Sequence, residues 1–255
     1  MPTPTDHDEE VEKEELSGHM SFFDHLEELR RRLLNSLIAV GVSFGFCYYF
    51  ADQLYHVFER LITNAGGILN APSITAPFTI LLKIAFLASL FLASPFIIAQ
   101  VWLFISPGLY KKERRYALPF IFFATVLFVL GGVFGYFVAL PFGIQFLIGM
   151  AKTHSMSTFL DVSETFDIIF YLLLGLGIIF EIPALIFLLS RLGLVSGSFL
   201  LKNSKYAILI CFIVAAVITP TGDIPNMMII GVPMIALYFL GVVIAYVFGK
   251  KRNRE

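Results

Sequence analysis

The chain has 255 residues, 58% of them apolar and 15% charged, with a formal net charge of −1 and a mean hydropathy of +0.83. Soluble domains carry about 25% charged and about 45–50% apolar residues, so this composition excludes a water-soluble globular domain. Its apolar residues come in long unbroken runs rather than in period-two alternation, which also excludes a β-barrel and predicts an all-α membrane protein.

Residues 1–20 are acidic and polar with little to bury, and the composition predicts a disordered tail. From Ser21 the text becomes S-F-F-D-H-L-E-E-L-R-R-R-L-L. Ser21 and Asp24 have capping-box spacing with Asp in place of Glu. Phe22, Leu26, Leu29 and Leu33 recur at helical spacing, and Glu27–Arg31 and Glu28–Arg32 are i,i+4 pairs on the other face. The pattern predicts an amphipathic helix at the membrane interface, leading into a first span over about 33–51. This segment is either a surface anchor with internally paired charges or part of a recognition surface.

Residues 52–77 hold G-G and two prolines and read as an outer loop, which with a second polar loop at 149–167 would cap that face. Between them come apolar runs at 78–105 and 116–148, the second predicting a span over about 116–137. Further spans are expected at about 168–189, 206–218 and 227–248, where a span needs roughly 20 apolar residues. The fifth, about 20 Å of helix, is short. Prolines 95, 119, 141, 183 and 233 lie in or at the ends of these runs and predict bends. Gly41-x-x-x-Gly45 and Gly131-x-x-x-Gly135 would allow close helix approach.

With six spans both termini face one side. Lys13, Arg30, Arg31, Arg32, Lys111, Lys112, Arg114, Arg115, Arg191, Lys202, Lys205, Lys250, Lys251, Arg252 and Arg254 then share it, against Arg60, Lys83 and Lys152 opposite. Positive charge marks the cytoplasmic side, so both termini, including a basic tail at 250–255, are expected there.

Three carboxylates need explaining. Glu113 sits between Lys111-Lys112 and Arg114-Arg115 in the cytoplasmic F-I-S-P-G-L-Y-K-K-E-R-R segment. It either pairs with its neighbours or, with Glu27 and Glu28, receives a ligand whose planar guanidinium forks onto a carboxylate. Glu181, in I-I-F-E-I-P, lies inside the fourth span, where a carboxylate costs at least about 2.5 kcal/mol. It must face a cavity, find a partner or be protonated, and Pro183 after it predicts a polar notch at 179–183. Asp223, in the turn text I-T-P-T-G-D-I-P-N, is either an ordinary turn residue or a site. Cys47 and Cys211 fall inside apolar runs and read as buried small side chains, while the histidines share no metal-ligand spacing with them. No protease or hydrolase motif appears, so no enzyme, metal or cofactor is expected. A proton-coupled transporter using Glu181 is the remaining alternative, weakened by the absence of an internal repeat.

H-L-E-E-L-R-R-R-L (25–33), P-F (77–78) with Lys83, F-I-S-P-G-L-Y-K-K-E-R-R (104–115), F-E-I-P (180–183) and I-T-P-T-G-D (218–223) occur together and in order. In this combination the chain resembles the TatC family, the multispanning subunit of twin-arginine protein translocases, over about residues 21–249. The resemblance implies a bent, glove-like bundle of six spans in the inner (cytoplasmic) membrane, with short fifth and sixth spans. It implies a receptor for the twin-arginine signal peptides of folded cargo, working with TatA- and TatB-type single-span partners and further copies of itself. The proton gradient would drive export; no nucleic acid is implicated. Carried over by position, Glu113 would be the principal carboxylate for the arginine pair and Glu28 the assisting one. Arg30, Phe104, Pro107, Leu109 and Tyr110 would complete that surface. Glu181 would face the concave side, and Asp223 would mark the outer turn near the partner-docking spans. Met227 and Phe239 depart from the family, standing where relatives often carry Gln and some carry Glu.

Overall fold

The computed structural model describes residues 22–71, 73–105, 117–155, 159–219 and 223–249. The acidic tail, Ser21 with its expected cap, the segment 106–116 and the basic tail lie outside the described residues.

Helix α1 (Phe22–Tyr49) runs without interruption from the amphipathic segment into the first apolar run. Leu26, Leu29 and Leu33 on its apolar stripe stay exposed, as befits a face turned to lipid. At Phe50 the chain bends by 72° into α2 (Ala51–Asn64). Here the structure corrects the loop expected at 52–77. Leu54, Phe58, Leu61 and Ile62 recur at helical spacing and pack towards the core, while Asp52, His56 and Arg60 remain exposed. Gly66, at φ +89°, turns the chain out of α2. Strand β1 (Ile68–Asn70) then pairs in parallel with β2 (Phe159–Asp161), Leu69 opposite Leu160. These pieces form one end of the bundle, the cap end.

Long apolar helices follow. They are α3 (Ala76–Ile105), α4 (Ala117–Phe134) continuing through a π-helical turn (Gly135–Ala139) into α5 (Leu140–Thr153), and α6 (Val162–Phe180) continuing as α7 (Ile182–Arg191). Short α8 (Gly197–Lys202) and α9 (Ser204–Ile218) lead to α10 (Ile224–Phe248). Among the described residues four helical segments are long and apolar enough to cross a bilayer, a fifth if the bent α1–α2 pair counts as one, and α9 is shorter. The prolines take separate places. Pro95 and Pro233 lie inside α3 and α10, Pro141 follows the π turn, and Pro183 begins α7.

Helix α6 is the axis. Its Phe166, Ile169, Leu172, Leu173 and Leu176 are buried in one cluster with residues of α2, α3, α5, α9 and α10. A second cluster, at the end opposite the cap, gathers Trp102, Phe120, Ala124, Ala184 and Leu188. Lipid tails are as apolar as leucine, so close packing rather than burial from water holds such helices together. Gly131 shows it. A Cβ there would stand 2.5 Å from the Leu176 carbonyl oxygen and 2.8 Å from the Gly177 Cα, so the α4 and α6 backbones touch. Gly41 and Gly45 have the same spacing, but a Cβ at either meets nothing within 4 Å. Across the cap-end halves of α3 and α6, Lys83 Nζ meets Asp167 Oδ1 at 2.5 Å, and Phe86 stacks on Phe170 beside them.

Two outcomes follow from this packing. Gly131→Leu should lower stability by about 1–3 kcal/mol through overpacking, read as thermal unfolding in detergent, while Gly45→Leu should leave the midpoint unchanged. Lys83→Met should cost up to about 1 kcal/mol by stripping partly exposed Asp167 of its partner. The double variant Lys83→Met/Asp167→Leu should regain most of that loss; additive losses would show that the two side chains are not coupled.

Candidate functional site

At the end opposite the cap, the first turns of α1 lie against the last turns of α3. Glu28 and Arg32 stand one helical turn apart, and Arg32 Nη2 donates to Glu28 Oε1 at 3.1 Å. Arg32 also reaches across to α3, where Nη1 lies 3.4 Å from Gln100 Oε1. Little of this pair is open: the side chains are 12% exposed for Glu28 and 18% for Arg32. Glu28 Oε2 and Arg32 Nε have no hydrogen-bond partner among the described residues. One carboxylate oxygen is thus fixed and the other is left over, an arrangement that can accept one further donor. Glu27 and Arg31, the other pair of matching spacing, are both exposed and form no ion pair among the described residues.

Above this pair His25 stacks on Phe104, ring centroids 4.4 Å apart and planes 17° from parallel. Arg30 is exposed on the same helix. Ile105 and Ala117, the last and first described residues around the 106–116 segment, both pack on the Trp102–Phe120 cluster. Both ends of that segment are therefore anchored at the end of the bundle that carries Glu28. Pro107, Leu109, Tyr110 and Glu113 themselves lie outside the described residues.

The other expected residues stand apart. Glu181 sits at the break between α6 and α7, where its N–H donates to the Ile178 carbonyl at 3.1 Å, a three-residue step instead of the helical four. Its side chain is half-buried, and Oε1 has no partner among the described residues. Asp223 caps α10: Oδ1 accepts from the Asn226 N–H at 2.8 Å and Oδ2 from Asn226 Nδ2 at 2.9 Å. Met227 is half-buried against the main core, and Phe239 is partly exposed beside Tyr238. Among the described residues no group of His, Cys, Asp and Glu is placed to hold a metal ion.

Sequence reasoning passed over Arg32 as a bridge, Gln100, His25 and the Lys83–Asp167 pair. A signal was available for two of these. Gln100 is an amide near the end of an otherwise apolar run, and Lys83 and Asp167 lie at similar depth from the same face.

Known proteins share this fold. Residues 24–233 match the family model described as Sec-independent protein translocase protein (TatC). The protein of that name from Koribacter versatilis is 44% identical, over all of this chain and 96% of its own length. That from Escherichia coli is 36% identical over 91% of this chain and 90% of its own. A crystal structure of the twin-arginine translocase receptor TatC superposes with a TM-score of 0.75 at 33% identity, covering 87% of this chain and 97% of that one. Another, in the detergent DDM, gives 0.77 at 32%, covering 87% and 99%. From the first turns of the helix that carries Glu28 to the middle of the last helix, the chain belongs to the TatC family of Sec-independent protein translocase proteins.

Proposed function

We propose that this chain receives twin-arginine signal peptides of folded cargo at the surface that carries Glu28. The observation that supports this reading most directly is the Glu28 carboxylate, with one oxygen engaged by Arg32 and the other without a partner among the described residues. It stands at the same end of the bundle as Ile105 and Ala117, which flank the segment that holds Glu113. Membership of the family makes the chain a component of a protein translocase and not an enzyme.

A guanidinium suits such a surface because its planar fork meets a carboxylate with two parallel N–H groups, where lysine offers a point charge. The cations around Glu113 repel a generic cation but not one that brings enough directed hydrogen bonds. Glu113 is the principal receiver in this reading and Glu28 the assisting one, with Arg30, Phe104, Pro107, Leu109 and Tyr110 completing the surface. Six crossings, in which α9 is one that thins the bilayer locally, put both termini in the cytoplasm of a cell with this chain in its inner membrane. The Lys and Arg distribution supports that orientation. TatA- and TatB-type single-span proteins would dock on the short α9 and on α10 near Asp223 and Met227, with other copies of the chain completing a complex driven by the proton gradient. Glu181, whose Oε1 has no partner among the described residues at a helix break, supports a role within the membrane in assembly or transport.

Binding of a labelled signal peptide to the purified protein in nanodiscs tests the receptor reading. Glu113→Gln should weaken an Arg-Arg peptide by about 10- to 100-fold, the loss of one charge-assisted hydrogen bond. A Lys-Lys peptide should bind wild type no better than the variant. Equal binding in all four combinations would refute the receptor role and favour the transporter reading of Glu181. For Glu181→Ala, export or complex assembly should fall while peptide affinity stays at wild-type level; loss of peptide binding alone would contradict the division of roles.

A further inference from the structure

Beneath α2 lies a cavity of about 260 Å³ that no part of the receptor surface uses. Leu54 and Phe58 of α2 roof it, and Leu87 and Phe91 of α3 form its inner wall. On the other side α4 and the π turn supply Val133 and Phe137, which are 44% and 68% exposed and form a mouth that opens sideways. The roof is tied down, since the Tyr136 hydroxyl in the π turn donates to the Val57 carbonyl of α2 at 3.2 Å. With Asp52, His56 and Arg60 exposed above and apolar residues below, α2 has the pattern of a helix lying in the membrane interface. The cavity therefore sits just under the headgroups, at the depth of the upper acyl chain.

Water does not suit this space. Apolar cavities stay dry, and one of about 150 Å³ already admits benzene. An unfilled space would forfeit the dispersion contacts of every side chain lining it. The mouth faces outward between two membrane helices, and the medium against that face is hydrocarbon. We propose that the cavity seats one acyl chain of a membrane phospholipid, which enters between α3 and α4 and lies beneath α2. The lipid acts as a structural ligand that braces the cap end, and its seat depends on chain length rather than headgroup.

The test uses the full chain, purified and stripped of lipid in detergent. Thermal unfolding is followed with added dioleoyl phosphatidylglycerol, with dioleoyl phosphatidylethanolamine, and with a six-carbon phosphatidylglycerol. Both long-chain lipids should raise the midpoint by about 5 °C, as a saturating ligand does for a chain of this size; the short-chain lipid should not. Ala88→Phe, which fills the inner wall, should abolish the rise, and so should Val133→Trp, which blocks the mouth without crowding the core. Both variants should still bind the Arg-Arg peptide, and native mass spectrometry should find one lipid fewer on each than on wild type. A rise that ignores chain length, or that persists in Val133→Trp, would overturn the proposal. So would a crosslink from Val133→Cys to a single-span partner that drives the lipid off, because the seat would then belong to a protein side chain.

Discussion

A bilayer offers no hydrogen-bond partner, so each polar group that this chain carries into it has to be met by the chain itself. Most are met within their own helix or by the next one. Ser89 and Ser94 return their hydroxyls to the carbonyls of Phe86 and Phe91, and buried Thr219 does the same to Ala215. Lys83 has Asp167, and Arg32 has both Glu28 and Gln100. Against that background, the leftover oxygens of Glu28 and Glu181 stand out. One lies at the end of the bundle opposite the cap and the other where a helix breaks. Neither oxygen has a partner among the described residues, and an ionisable group is costly to keep in a membrane.

The apolar runs gave away the spanning helices because a helix in lipid must be apolar all round, a property visible without knowing any neighbour. The Glu28–Arg32 pair was legible for a similar reason, since four residues on a helix are neighbours wherever the helix goes. Gln100 was not, because it joins that pair from a helix 68 positions away in sequence. The parallel pairing of β1 and β2 escaped for the same reason, and its three-residue strands are too short to show alternation. Helix α2 is a different case. Its two prolines and G-G pair lie in the later part of 52–77, and they masked a helical period in the first part. The glycine motifs show the limit of pattern reading: Gly131 is pressed against the backbone of α6, whereas a Cβ on Gly41 or Gly45 would meet nothing within 4 Å among the described residues, and only the third dimension distinguishes them.

Division of labour follows from the two hydrophobic clusters. The larger surrounds α6 towards the cap end, and the smaller binds the far ends of α3, α4 and α7 around Trp102. The second is small, but it fixes where the 106–116 segment leaves and rejoins the bundle. The proposed receptor surface thus rests on a local core of its own, separated along α6 and α7 by the break at Glu181.

The bend at Phe50 gives α1 the mechanics of a lever. The helix packs chiefly against α3 and shows lipid much of its remaining surface. Glu28 stands about 32 Å from the bend at 1.5 Å per residue, so a tilt of only ~5° about that pivot carries it ~3 Å, the length of a hydrogen bond. The contact between Arg32 and Gln100 resists such a swing together with the packing of α1 along α3. A rigid α1 would thus turn a small change of angle at the bend into displacement of Glu28 at the other end of the bundle.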